Sequence, residues 1–219
     1  MNAVLRQIEH IGIVPVIALS DTEKAVPLAK ALVAGGIPCA EVTFRTKEGA
    51  EYIRRIAAEI PEALLGAGTV LSISQVVSAI REGAKFVVSQ GFNPKVVRYC
   101  VENDIPIIPG CSTPSDMEAA MEFGLDVVKF FPAEQAGGLA YIKAVAAPYA
   151  KLRFLPTGGI NIHNLREYIA FSKVLACGGN WMVEKDLVRA GRFKEVERLC
   201  REAVQAVREV RNKVNLIIL

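Results

Sequence analysis

Only two histidines and five cysteines occur in the 219 residues. His10 and His163 are too few and too far apart in sequence to build a zinc centre, so no metal site is expected. The cysteines, at positions 39, 100, 111, 177 and 200, form no C-x-x-C pair and leave an odd count. That fits reduced thiols in a cytoplasm better than a disulfide framework. No apolar run reaches membrane-spanning length. The run IGIVPVIAL near the start follows Glu9 and His10 rather than a basic flank, is interrupted by Pro15, and has counterparts all along the chain, so it reads as a strand and not a signal peptide. Charge is sparse as well: 22% of residues are charged, and the net +3 comes from scattered Lys and Arg, which predicts neither a nucleic-acid partner nor a membrane patch. No G-x-G-x-x-G follows the first strand candidate, which removes the usual dinucleotide-binding signal. No shift of composition marks a linker, and residues 1–219 read as a single domain.

What is plentiful is apolar sequence, 52% of the chain, arranged as short β-rich runs alternating with longer amphipathic stretches. The strand candidates are 13–19, 40–45, 64–70, 86–90, 105–110, 127–132, 153–158 and 174–179. Helical spacing is clearest in 22–36, 49–60 and 74–83, and helices are also expected over 93–103, 113–124, 137–147, 161–171 and from Phe193 to about Arg211. Asp21, Ser74, Asn93, Thr113 and Asn161 read as N-caps. Repeated β-then-α units of this length imply an α/β fold, a single-domain (β/α)₈ TIM barrel with an N-terminal helix; an open doubly wound sheet is the alternative. In a barrel, working residues belong at the C-terminal ends of the strands.

Polar residues on strands that should be dry then become informative. In EVTFR the period of two puts Glu41, Thr43 and Arg45 on one face, pointing inward, where unpaired charge is costly and tends to be kept for chemistry; an internal ion pair, or rim residues solvated by a slip of register, is the bland alternative. In VVKFFP the lysine, Lys129, lies between two apolar neighbours; burial penalises its ammonium form, and a free amine is what attack on a ketone requires. A lysine that snorkels past the strand end is the bland alternative. Gly66, Gly68 and Thr69 close the third strand. Glycine pairs in TGGI and CGGNW follow the seventh and eighth strands, where barrels commonly receive phosphate on bare N–H groups and a helix N-terminus. Cys111 and Cys177 read as buried small apolar residues, His163 as decoration of a helix start and Trp181 as packing.

Together the segments VPVI, KALVAGGIPCAEVTFRT, GAGTVL, IPIIPGCSTPSD, VVKFFPAEQAGG, RFLPTGGI and VLACGGNWMV resemble the KDPG/KHG aldolase family in order and spacing over nearly the whole chain. The resemblance implies a class I aldolase, a carbon–carbon lyase without metal or other cofactor, in which a covalent lysine Schiff base forms with a 2-keto acid. It implies Lys129 as the Schiff-base lysine and Glu41 as the proton-shuttling carboxylate. Arg45 and Thr69 would hold the substrate carboxylate, and Phe131 and Pro132 would wall the lysine. Thr157, Gly158, Gly159, Gly178, Gly179 and Asn180 would form the phosphate end. The family further implies a cytoplasmic homotrimer of the Entner-Doudoroff pathway that cleaves 2-dehydro-3-deoxy-6-phosphogluconate, with 4-hydroxy-2-oxoglutarate or the galactonate analogue as alternative substrates. A phosphate-binding barrel isomerase or epimerase is the rival activity, and a catalytically silent relative the rival role. Two positions depart from the family pattern: Gln90 stands in SQGFNP where proline is usual, and Asn180 where serine is usual.

Overall fold

The computed structural model describes residues 1–45 and 48–218, with side chains through residue 213. The apolar ending 215–219, for which packing on the barrel, a subunit contact and fraying are all open from sequence, lies outside the residues whose side chains are described. Strands β1 (Ile13–Ile17), β2 (Cys39–Thr43), β3 (Leu64–Val70), β4 (Phe86–Ser89), β5 (Ile107–Ile108), β6 (Val127–Phe130), β7 (Arg153–Pro156) and β8 (Cys177–Gly179) alternate with helices. The helices are α1 (Ala3–Ile11), α2 (Ala25–Ala34), α3 (Glu48–Glu59), α4 (Ile73–Arg81), α5 (Pro94–Glu102), α6 (Pro114–Glu122), α7 (Gly138–Ala146), α8 (Leu165–Ala170), α9 (Lys185–Arg189) and α10 (Phe193–Ile218).

The fold is mixed α/β with parallel pairing between strands. Six strands form one continuous sheet in the order β5-β4-β3-β2-β1-β8, and β6 pairs with β7 separately. Isolated parallel bridges connect the two at Gly110↔Lys129 on one side and at Phe154↔Val174 and Thr157↔Gly178 on the other. The ladders are short there for a reason visible in the sequence: Pro106 and Pro109 flank β5 and Pro156 closes β7, and proline has no N–H to donate.

Both faces of the strands are buried, as parallel strands covered by helices require. Tyr52, Phe86, Phe130, Phe154 and Tyr168 are the largest of the fully buried side chains. α10 packs against α2 and α8, with Val196, Cys200, Ala203, Ala206 and Val207 turned inward at helical spacing.

Local signals were largely followed, with definite departures. Asp21, Asn93 and Thr113 cap as expected, and Thr113 forms a reciprocal capping box with Asp116. The cap of α4 is Ser72 and not Ser74: Ser72 has extended backbone and accepts from the Gln75 N–H, while the Ser74 hydroxyl merely meets that of Ser72. Asn161 does not cap α8, which starts only at Leu165 after Asn164. The Asn161 carboxamide oxygen instead accepts from the His163 N–H within the preceding loop. The helix expected over 22–36 opens with a 3₁₀ turn, Thr22–Lys24. A second 3₁₀ turn, Trp181–Val183, and α9 follow β8 in a segment whose periodicity is too short to register.

Candidate active site

β6 carries Lys129 at its third position, 2% exposed, and β2 carries Glu41 at its third, wholly buried. The backbone of Lys129 is fixed from both sides. Its N–H donates to the Pro109 carbonyl and its own carbonyl accepts from the Cys111 N–H, each at 2.8 Å, while β7 pairs with it through Leu155. Glu41 sits centrally in the larger sheet, opposite Val16 of β1 and Gly66 of β3.

The two side chains meet at 3.4 Å between Lys129 Nζ and Glu41 Oε1. Either charge alone in this interior would cost several kcal/mol, and pairing offsets that cost without removing it. Glu41 Oε2 is buried and has no hydrogen-bond partner among the described residues, so one acceptor of the carboxylate is uncommitted. Room for the carboxylate comes from Gly68: a Cβ there would lie 2.1 Å from Glu41 Oε1 and 2.5 Å from its Cγ. A buried amine beside a carboxylate with a spare oxygen can act as nucleophile and proton carrier in one place. The Phe131 ring lies 5.3 Å from Lys129 Nζ, and the Phe131–Pro132 peptide bond is cis.

Thr69 is half-buried at the C-terminal end of β3, with φ +56, a region that residues other than glycine seldom adopt. The register between β3 and β4 shifts between Ala67 and Val70, and such an irregularity re-aims a side chain. Arg45 requires a correction. The strand pattern placed it inside with Glu41, but pairing of β2 ends at Thr43↔Gly68 and the chain then turns, leaving Arg45 exposed at the mouth. Thr43, 5% exposed, is the residue that continues the inward face of Glu41.

The two glycine pairs occupy neighbouring loops. Gly158 and Gly159 have φ +100 and +78, conformations that exclude most side chains. The loop is stitched to the one after β6: the Ala133 N–H donates to the Thr157 carbonyl at 2.8 Å and the Glu134 N–H to the Gly158 carbonyl at 3.1 Å. The Tyr168 hydroxyl of α8 in turn donates to the Glu134 carboxylate. Burial and this carboxylate both push the Tyr168 phenol up from its ordinary range. Thr157 is nearly buried and packs on Gly178, where a Cβ would meet its Oγ1 at 2.2 Å. Gly179 is buried and Asn180 exposed, its side chain unused as a cap. The helix N-terminus expected beside Gly158 and Gly159 is not there, since α8 begins five residues beyond Ile160.

Sequence reasoning thus reached most of this constellation, placed Thr43 on the inward face without giving it a role, and passed over Glu134 and Tyr168. The period of two already put Thr43 beside Glu41, and Glu134 stands within the FFPAE segment. Tyr168 is linked to the site only through the fold. All five cysteines are buried; burial pushes the thiols of Cys100, Cys111 and Cys200 up to about 12 and those of Cys39 and Cys177 higher still. Among the described residues no three His, Cys, Asp or Glu side chains come together as a metal-binding group, and no helix is long and apolar enough to cross a membrane.

The sequence model of the KDPG and KHG aldolase family matches residues 4–199. A 2-dehydro-3-deoxy-phosphogluconate aldolase of Treponema pallidum is 50% identical over 207 residues, 94% of this chain and 99% of that protein. The KHG/KDPG aldolase of Escherichia coli K12 is 45% identical over 196 residues, 90% of this chain and 92% of its own. Among solved structures, the KDPG aldolase of Legionella pneumophila with pyruvate captured at low pH as a covalent carbinolamine intermediate superimposes with a TM-score of 0.89 at 33% identity, covering 92% of this chain and 98% of that one.

Proposed function

The chain belongs to the KDPG and KHG aldolase family, and from that premise we propose that it cleaves 2-dehydro-3-deoxy-6-phosphogluconate to pyruvate and glyceraldehyde 3-phosphate through a Schiff base on Lys129. It is a class I aldolase, a carbon–carbon lyase. The observation that carries the residue assignment is the buried Lys129–Glu41 pair with its uncommitted carboxylate oxygen.

Lys129 Nζ attacks the C2 ketone, and the carbinolamine loses water to an iminium. Glu41, directly or through a water, takes the proton of the 4-hydroxyl as the C3–C4 bond breaks, and the electron pair moves into the iminium to give an enamine. Glyceraldehyde 3-phosphate leaves, C3 of the enamine is protonated, and hydrolysis frees pyruvate and the lysine. Arg45, at the mouth, and Thr69, on the shifted end of β3, hold the C1 carboxylate. Phe131 and Pro132 wall the lysine. Thr157, Gly158, Gly159, Gly178, Gly179 and Asn180 receive the phosphate, with 4-hydroxy-2-oxoglutarate as a second substrate that does without them. The chemistry needs no metal, since the iminium is the electron sink.

The bridges at Gly110, Val174 and Gly178 support reading the eight strands as a closed barrel with this site at its C-terminal mouth. Exposed Leu71, Ile73, Val77, Val101 and Met121 lie on or just before α4, α5 and α6, a spread that supports self-association as a homotrimer. The buried thiols suit a reducing cytoplasm, and the substrate proposed above suits a place in the Entner-Doudoroff pathway.

Borohydride reduction in the presence of pyruvate tests the mechanism: one reduced pyruvyl group on Lys129 is expected, and no adduct would favour a phosphate-binding isomerase or epimerase. Turnover of the gluconate, galactonate and unphosphorylated substrates then ranks them.

A further inference from the structure

β5 is only two residues long, and the segment that leaves it holds β6 on that side. At the bridge Gly110↔Lys129 the Pro109 carbonyl and the Cys111 N–H bond the backbone of Lys129, each at 2.8 Å. The next step of a parallel ladder would set Ser112 opposite Phe131 and bring the Thr113 N–H to the Phe131 carbonyl. That N–H is diverted: it donates to the Asp116 carboxylate at 3.0 Å, inside the capping box that starts α6. The Ser112 hydroxyl donates to the Phe131 carbonyl in its place, at 3.0 Å. A side chain thus carries the contact between the two segments one residue pair past the end of the backbone ladder.

The Ser112 hydroxyl is aimed by its own surroundings. The Ser112 N–H donates to the Asp116 carboxylate at 3.2 Å, and the Ser112 carbonyl accepts from the Tyr141 hydroxyl of α7 at 2.9 Å. Ser112 and Tyr141 are both half-buried, and the Tyr141 ring stacks on Phe130 with centroids 5.4 Å apart and planes 14° apart. Tyr141 therefore grips both sides of the seam, its ring against β6 and its hydroxyl against the segment after β5. What this network holds still is Phe131, two residues past Lys129, whose ring lies 5.3 Å from Lys129 Nζ. That distance is within the roughly 6 Å over which an aromatic face attracts a cation.

We propose that Ser112 and Tyr141 are positioning residues for Schiff-base formation, which clamp the Phe131 carbonyl and so keep the Phe131 ring beside the nitrogen of Lys129. The inference rests on the aldolase reading above. Once Nζ has added to C2, the carbinolamine oxygen takes a proton carried by Glu41 and leaves as water with the electrons of its C2–O bond. The nitrogen lone pair then completes the C=N bond and the nitrogen becomes cationic. A ring face beside it favours that iminium over the neutral carbinolamine, and a ring that has swung away does not. Ser112 and Tyr141 touch neither substrate nor Lys129 Nζ; they act through Phe131.

The test mixes the protein with saturating pyruvate, adds borohydride at increasing times in a rapid-quench apparatus, and reads the labelled fraction by mass spectrometry. S112A is expected to reach the plateau of the unmodified protein about 10-fold more slowly, the effect of losing one hydrogen bond that seats the ring. Y141F slows the rise about threefold or more, and S112T, which keeps a hydroxyl, stays within about twofold of the unmodified rate. Y149F removes another tyrosine hydroxyl bond, the exposed one from Tyr149 to Glu118 at 2.9 Å, and also stays within about twofold. A rise in S112A within about twofold of the unmodified protein overturns the proposal, and so does an S112T as slow as S112A, because volume and not the hydroxyl would then matter. A merely structural role lowers the plateau, through fewer folded chains, and leaves the rise unchanged; that pattern overturns it too. Should S112A fail to fold, Y141F decides by the same criterion. An unmodified chain that forms the adduct beside an equally fast S112A removes the clamp alone, whereas an unmodified chain with no adduct removes the aldolase reading and this inference with it.

Discussion

Replacing Gly68 by alanine adds one methyl group and aims it at the reacting carboxylate. The new Cβ would stand 2.1 Å from Glu41 Oε1, 2.5 Å from Cγ and 2.6 Å from Cδ. Comfortable contact requires about 3.5 Å, so the carboxylate must retreat by about 1 Å or more. Little space is available for that retreat, because Glu41 is fully buried and its backbone is held between β1 and β3. A displacement of this size in a catalytic group costs on the order of 10² in rate. Complete loss of acid–base help would cost about 10²- to 10⁴-fold. G68A should therefore lower kcat by about 10² or more and, as an overpacked core variant, lose about 1–3 kcal/mol of stability. Pyruvate release coupled to NADH oxidation reads the rate, far-UV circular dichroism and a urea midpoint read the fold, and borohydride trapping with pyruvate should still label Lys129. A folded G68A enzyme within about threefold of the original kcat would refute the argument that the glycine exists to seat Glu41 against the lysine.

Three further outcomes follow from the same geometry. K129M should abolish both turnover and borohydride adduct, whereas E41Q should retain the adduct while kcat falls about 10²- to 10⁴-fold; mass spectrometry and the coupled assay separate the two. Y168F removes the hydroxyl that donates to Glu134, and should cost about 1–3 kcal/mol in a urea titration while raising KM for the phosphorylated substrate, because Glu134 braces the Gly158 loop. The buried thiols make stability fall on the alkaline side: Cys100, Cys111 and Cys200 stay protonated in the fold up to about 12, while unfolded thiols ionise from about 8.5. Their contribution is complete below that lower value and is lost as pH rises through the window, by at most about 1.4 kcal/mol per pH unit per thiol. Urea midpoints at pH 7.5 and about pH 9.5 check this.

Much of the molecule was legible in one dimension because it is built from local rules. Period-two and period-3.6 patterning located all eight strands and most helices, and the caps at Asp21, Asn93 and Thr113 followed from side chains that hydrogen-bond their own backbone a few residues on. Lys129 and Glu41 stood out as ionisable residues on apolar strands, which burial makes costly whatever the fold. Ser72 against Ser74 shows the limit of such rules, since both serines offer the same hydroxyl and only the backbone angle at Ser72 selects it.

Tertiary structure decided what depended on residues far apart in the chain. It closed the 88-residue separation of Glu41 and Lys129 to 3.4 Å and gave Gly68, an ordinary strand glycine by sequence, the task of admitting the carboxylate. It ended β2 at Thr43, although β3 runs on to Val70 and the Phe44 N–H still donates to the Gly68 carbonyl, and the turn that follows leaves Arg45 exposed. It set α9, too short to announce itself, beside the same cavity as the loop after β1. Residue types and periodicity determined which groups would be expensive to bury; the pairing of strands determined which of those groups would share one dry space and act together.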